Sequence, residues 1–196
     1  LVMKTVQLTA SSSFQTEEFK LGASKIRMTP PLGSIIGDSY GIRVSEGVHD
    51  DLYIKTMVFE QGGKKVAFIT LDAISLPHLL VMKSRQLIFQ QTGIALNNII
   101  LNATHAHAGP QMNPLFWDVV GGSAKFKSQE YTHKLPELIA ASVESAVSKI
   151  QPVRVSVGSV QENTISFNRR YLMKDGTFRT NPGKLNQNVV RPAGPI

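Results

Sequence analysis

A layered α/β fold, with a mixed β-sheet and flanking helices, is the architecture this sequence predicts. Two observations carry it. Short runs of strand-like composition alternate with two longer stretches of helical period. Two of the short runs, around Val66-Ala67-Phe68-Ile69 and Ile99-Ile100-Leu101, are continuously apolar at their centres, as strands covered on both faces are.

In chain order, residues 1–18 read as a loose arm. Gln7, Thr9 and Ser11-Ser12-Ser13 interrupt it, so it lacks the apolar centre of a signal peptide, although a signal removed upstream is compatible with a chain that does not start with Met. Phe19 to Met28 is a first strand, ended by Thr29-Pro30-Pro31-Leu32-Gly33. Gly33 to Asp51, rich in Gly, Ser and Asp, reads as a long loop. Leu52 to Glu60 and Lys65 to Leu71 are the next two strands, joined by a turn at Gln61-Gly62-Gly63-Lys64. Leu79 to Gln91 places Leu80, Ser84, Leu87, Ile88 and Gln91 at helical spacing, with Gly93 to close it. A fourth strand spans Asn98 to Thr104.

Beyond a Gly/Pro-rich loop, Ser128 to Ile150 is helical, with Pro136 either kinking it or setting its regular start near Lys134. Pro152 ends it, and Val153, Val155 and Val157 alternate like a half-buried strand. No apolar-periodic element is expected after Ile165.

Composition narrows the function classes. A chain of 196 residues suits one domain, or a large domain cut short, and falls below the roughly 250 residues of a (β/α)₈ barrel. With 42% hydrophobic residues it can bury a core, and no apolar run approaches the roughly 18 residues of a membrane span. Zero cysteines exclude disulfides, thiolate metal sites and cysteine nucleophiles. The net charge of +7 concentrates in residues 151–196, where seven basic residues face only Glu162 and Asp175, a net +5. Such a segment suits a solvated or partner-facing surface; no aromatic interleaving supports nucleic-acid binding, and no nucleic-acid partner is expected.

Chemistry concentrates at Asn102-Ala103-Thr104-His105-Ala106-His107-Ala108-Gly109-Pro110. On an extended chain, residues two apart share a face at about 6 to 7 Å, so two imidazoles can converge on one metal, or one can ligate while the other moves a proton. The end of a buried strand is also where open α/β sheets bind ligands. A catalytic zinc wants three protein ligands and an open position. Asp72 can serve as a ligand, as an orienter of an imidazole, or simply as a turn cap, and His78 can reach the same edge; His49 and His133 read as surface residues. In Asn163-Thr164-Ile165-Ser166-Phe167-Asn168-Arg169-Arg170, an Asn beside arginines at a strand end can bind a carboxylate, phosphate or carbonyl oxygen.

Ala103 to Pro110 resembles the Ala-Thr-His-Thr-His-Ser-Gly-Pro signature of the neutral/alkaline non-lysosomal ceramidases. The flanking order is similar: Gly22-Ala23-Ser24-Lys25-Ile26-Arg27-Met28-Thr29 for the family's opening strand, Thr70-Leu71-Asp72 for its Thr-Asp strand end, and Asn168-Arg169 for its Asn-Arg pair. The resemblance runs from about Phe19 to Ile196, giving a ceramidase-like α/β domain over residues 19–196, expected to be an incomplete catalytic domain.

The resemblance implies zinc-dependent hydrolysis of an N-acyl amide, ceramide to sphingoid base and fatty acid. It implies one zinc ion with His105 as metal ligand, His107 as catalytic residue, and Asn168 and Arg169 as substrate contacts. It further implies that the remaining ligands lie in a later segment, so that the site is only partly held here and a missing C-terminal part or another subunit is a partner. A secreted or periplasmic location goes with it. Two local departures from the family pattern stand out: Gln111-Met112-Asn113-Pro114-Leu115-Phe116-Trp117 replaces a Gly-rich stretch, and Phe167 replaces an arginine. The alternative is a non-catalytic binding or structural domain that keeps the fold without a complete metal site.

Overall fold

The computed structural model describes residues 18–37, 43–162, 164–165, 168–183 and 185–194. The expected N-terminal arm lies outside them except for Glu18, as do Asn163, Ser166 and Phe167. The chain divides into two compact units, residues 1–154 and 155–196. In the first unit the elements are β1 (Lys20–Arg27), β2 (Ile35–Ile36), β3 (Arg43–Val44), β4 (Tyr53–Gln61), β5 (Lys64–Leu71), α1 (His78–Thr92), β6 (Ile99–Ala103), α2 (Pro114–Val120), α3 (Gly122–Val147) and β7 (Gln151–Pro152).

The main sheet has the order β6-β5-β4-β1-β7. β4 and β5 form a hairpin because Gly62 and Gly63 supply positive φ (59° and 69°) at both central turn positions, the geometry that matches strand twist. β5 and β6 are parallel, joined by the α1 crossover, and the other pairs are antiparallel, so the sheet is mixed as expected. The register stacks Ile54, Thr56, Val58, Ala67, Ile69, Leu71 and Ile99 on one buried face.

α1 and α3 pack into the same core through Leu80, Ile88, Leu135, Ile139, Val143 and Ala146. Lys55, Met57, Val66 and Ile100 stand exposed on the other face. The expectation of strands covered on both faces is therefore corrected: the helices cover one face, and each apolar run alternates between buried and exposed positions.

α1 ends as expected, with Gly93 left-handed (φ 70°) and its N–H donating to the Phe89 carbonyl. α3 starts well before Ser128 and runs through Pro136, which cannot donate to the Thr132 carbonyl one turn earlier. Gly22 lets α3 lie against β1, since a Cβ there would sit 1.9 Å from the Ala146 carbonyl oxygen. Polar groups fasten the two layers. The Ser24 hydroxyl donates to the Ser142 carbonyl (2.7 Å), and the Thr56 and Ser142 hydroxyls bond each other at 2.7 Å in a buried setting. The Tyr131 hydroxyl donates to the Met28 carbonyl, and burial pushes that phenol far above its ordinary pKa.

Three sequence expectations change. Gly33 to Asp51 holds the short β2–β3 hairpin rather than loop alone. α2 was not expected, although Asn113 caps it by accepting from the Leu115 N–H and Pro114 occupies the first turn. Val153, Val155 and Val157 form no strand: β7 pairs only with Lys20 and Leu21 at the sheet edge, and Val155 and Val157 are exposed. No helix among the described residues is long and apolar enough to cross a membrane.

The second unit carries β8 (Arg170–Met173), β9 (Phe178–Thr180) and β10 (Val189–Pro192) in a three-stranded antiparallel sheet of order β10-β8-β9. This corrects the expectation of no element after Ile165. The β8–β9 turn is made by Asp175-Gly176: the Asp175 carboxylate accepts from the Thr177 N–H at 3.0 Å, and Gly176 takes φ 79°.

Candidate active site

β6 ends at Ala103 opposite Leu71 of the parallel strand β5, so the chain that follows emerges at the carboxyl edge of the sheet. The Thr104 N–H still donates to the Leu71 carbonyl at 2.9 Å, and the Ala106 N–H reaches the Ala73 carbonyl at 3.0 Å. Between these two anchors His105 has φ 63°, the left-handed region that a non-glycine residue enters at a cost of roughly 1–2 kcal/mol. Such a conformation persists where the flanking backbone over-determines it, as the two hydrogen bonds do here.

The turn, not strand alternation, brings the histidines together. The expectation of two imidazoles on an extended chain is corrected: the rings of His105 and His107 meet edge to face with centroids 4.7 Å apart and planes at 89°. His105 Nδ1 lies 2.9 Å from the Ile74 carbonyl oxygen. A carbonyl only accepts, so Nδ1 carries a proton, and in the neutral imidazole the lone pair is then on Nε2 of this exposed ring. That is the tautomer a metal-ligating histidine needs.

The loop is braced on two sides. Gly109 packs so closely that a Cβ would sit 2.9 Å from both the Asp72 carbonyl oxygen and Ala73 Cα. From β2 and its exit, the Gly37 N–H donates to the Gly109 carbonyl at 2.8 Å, and the Ile35 carbonyl accepts from the Gln111 N–H at 3.0 Å. The Trp117 indole N–H donates to the Gln111 carbonyl at 2.7 Å, tying the loop to α2. Trp117 is buried, as a core residue is, whereas Leu115 and Phe116 are exposed.

Asp72 accepts from the Tyr53 N–H at 3.0 Å and pairs with Lys55 Nζ at 3.3 Å, so its carboxylate serves the end of the β4–β5 ladder as a cap does. His78 opens α1 and lines a separate cavity, which His133 also lines. His49 is exposed beside Asp50. Asn168 and Arg169 belong to the second unit. The Asn168 amide accepts from the Arg170 N–H at 3.0 Å and donates to the Gly194 carbonyl at 3.1 Å, shaping the entry to β8, while Arg169 is exposed.

The Ile74 carbonyl, which orients His105, left no sequence signal, because any residue offers a carbonyl. Gly109 was visible in the motif without its reason.

Two imidazoles are nitrogen donors of the kind zinc takes at about 2.0–2.1 Å, but a catalytic zinc needs three protein ligands. Among the described residues no group of three His, Cys, Asp or Glu side chains is placed to hold a metal ion. The described residues therefore offer two imidazole donors towards a zinc site, short of the three protein ligands a whole one needs.

A sequence model described as neutral/alkaline non-lysosomal ceramidase, N-terminal, matches residues 19–187. Among solved structures, the chain is similar to a neutral ceramidase from Pseudomonas aeruginosa, with TM-score 0.56 and 20% identity, covering 69% of this chain and 22% of that one. A ceramidase described as complexed with C2 gives TM-score 0.55 at 20% identity over the same shares. At that identity the likeness shows the fold, and the chain spans about a fifth of the length of these structures.

Proposed function

The chain belongs to the neutral/alkaline non-lysosomal ceramidase family, and from that premise we propose that it forms part of the site of a hydrolase cleaving the amide bond of ceramide-like N-acyl lipids. The observation that supports this reading best is the His105–His107 pair, held edge to face at the carboxyl edge of the sheet with His105 Nδ1 donating to the Ile74 carbonyl.

In this reading His105 binds zinc through Nε2, and the Ile74 carbonyl holds its ring in that tautomer. When bound, zinc supplies a water acidic enough to be a nucleophile near neutral pH. The donors this chain lacks among its described residues come, in the same proposal, from residues outside it; the 22% coverage of the matched ceramidase is in keeping with that. His107 is the catalytic residue: an imidazole at this separation can hold a proton for, or give one to, an oxygen or nitrogen placed beside His105.

Arg169 contacts the substrate with its exposed guanidinium, a group suited to carbonyl and hydroxyl oxygens. Asn168 stands beside it at the entry to β8. Both roles rest on the family's Asn-Arg pair, and a secreted or periplasmic place of action rests on the resemblance alone.

The test is release of fatty acid from a short-chain ceramide by a protein carrying this chain, compared with its His107→Gln variant. Loss of one proton-transferring group is expected to lower kcat about 10²–10⁴-fold with little change in folding. Equal rates in the two proteins would remove His107 from the chemistry. No hydrolysis by either would favour a non-catalytic relative.

A further inference from the structure

The first unit holds a cavity of about 310 Å³ that the reading above does not use. It lies among the start of α1, the start of α2 and the middle of α3, lined by Pro77, Leu80, Met112, Pro114, Trp117 and Pro136. Met112 and Trp117 are nearly inaccessible, at 1% and 6%, so the apolar wall is a built part of the core rather than a surface dimple. Leu79, also on the wall, is 74% exposed.

The polar side chains on this wall are Lys83, His78, His133 and Thr132. Lys83, His78 and His133 offer hydrogen-bond donors, the Thr132 hydroxyl is already donated to the Ser128 carbonyl at 2.7 Å, and no Asp or Glu lines the cavity. Lys83 forms no ion pair with a described carboxylate. An apolar pocket with donor-bearing side chains on its wall, among them an ammonium paired with no described carboxylate, suits a molecule that is apolar along most of its length and anionic at one end. The volume is that of about ten water molecules at ~30 Å³ each, room for a medium-length hydrocarbon chain.

From this we infer that the cavity between α1, α2 and α3 binds the carboxylate form of a medium-chain fatty acid, its head at Lys83, His78 and His133 and its chain along Trp117, Met112 and Leu80. The site includes neither His105 nor His107, and it stands whether or not the amide hydrolysis proposed above is correct.

Trp117 is the chain's sole tryptophan, so its emission reports directly on this wall. Titrating the chain at neutral pH with sodium decanoate, below micelle formation, is expected to change Trp117 emission saturably. Lys83→Glu, at an exposed position, replaces attraction by repulsion and is expected to weaken binding about fivefold. His133→Ala weakens it as well, and His105→Ala leaves it unchanged. No saturable change would overturn the inference. So would equal binding of decanoate and 1-decanol, which would make the site one for neutral chains, or decanoate affinity indifferent to Lys83→Glu.

Discussion

His105 donates from Nδ1 to the carbonyl of Ile74, 31 residues earlier in the chain, across 2.9 Å. That one bond links the loop after β6 to the loop after β5, and it selects the imidazole nitrogen left for chemistry. His105 can reach Ile74 because its backbone turns left-handed between two anchored amides, and the same turn brings His107 to its edge. The pair is thus a property of two neighbouring parallel strand ends, rather than of the His-x-His spacing by itself.

Gly109 keeps these two loops in contact. Gly109→Ala drives a Cβ to within 2.9 Å of the Asp72 carbonyl oxygen and Ala73 Cα, backbone atoms that cannot swing aside. The expected cost is about 1–3 kcal/mol. At about 2–4 °C per kcal/mol for a protein of this size, thermal unfolding reads it directly. Gly47→Ala, at an exposed position with open space around it, is the control and is expected to stay within about 0.5 kcal/mol of the parent.

Much of this arrangement was legible in the residues. The Gly62-Gly63 turn, the apolar centres of β5 and β6 and the closing Gly93 each act through local chemistry, and each lies where the sequence placed it. What was missed depends on partners far along the chain. Whether Val66 or Ile100 is covered is decided by which face α1 and α3 occupy, and Val155 and Val157 form no strand after the Val153 N–H makes its bond to the Phe19 carbonyl.

The β8–β9 hairpin was a different kind of miss: Asp175-Gly176 is a strong turn signal, outweighed by the polarity around it. At the site, the motif showed which two histidines matter, but the left-handed His105 and its Ile74 acceptor are tertiary facts without a sequence mark.

The Thr56–Ser142 hydroxyl pair lies buried between β4 and α3. Ser142→Ala strands the Thr56 hydroxyl away from water and is expected to cost about 1–3 kcal/mol. Adding Thr56→Val removes the stranded group, so the double variant should be less destabilised than the sum of the singles. A double-mutant cycle from chemical denaturation checks this, and a coupling near zero would show that the two hydroxyls do not depend on each other.

Asp51 closes the mouth of the β1–β4 ladder by accepting from the Thr29 hydroxyl at 2.8 Å and from Arg27 Nε at 2.6 Å. The Thr29 bond foremost holds its carboxyl below the ordinary 3.8; desolvation opposes it, and the Arg27 bond and charge add smaller lowering effects. A lowered folded-state pKa means that this contact stabilises the fold above the ordinary value and is lost as pH falls through the lowered one. Carboxyl-carbon NMR should find Asp51 titrating below 3.8 and moving up towards it in Thr29→Ala. A parent value at or above 3.8 would remove the proposed cause.

The most direct measurement is a zinc titration of the chain followed by ring-proton NMR of its five histidines. The expected result is that His105 and His107 respond together and ahead of His49, His78 and His133, and that His105→Ala abolishes the response of His107. If the pair stays unmoved, or answers zinc no sooner than the other three, then the His105–His107 turn is not the metal-binding part of a ceramidase-family site.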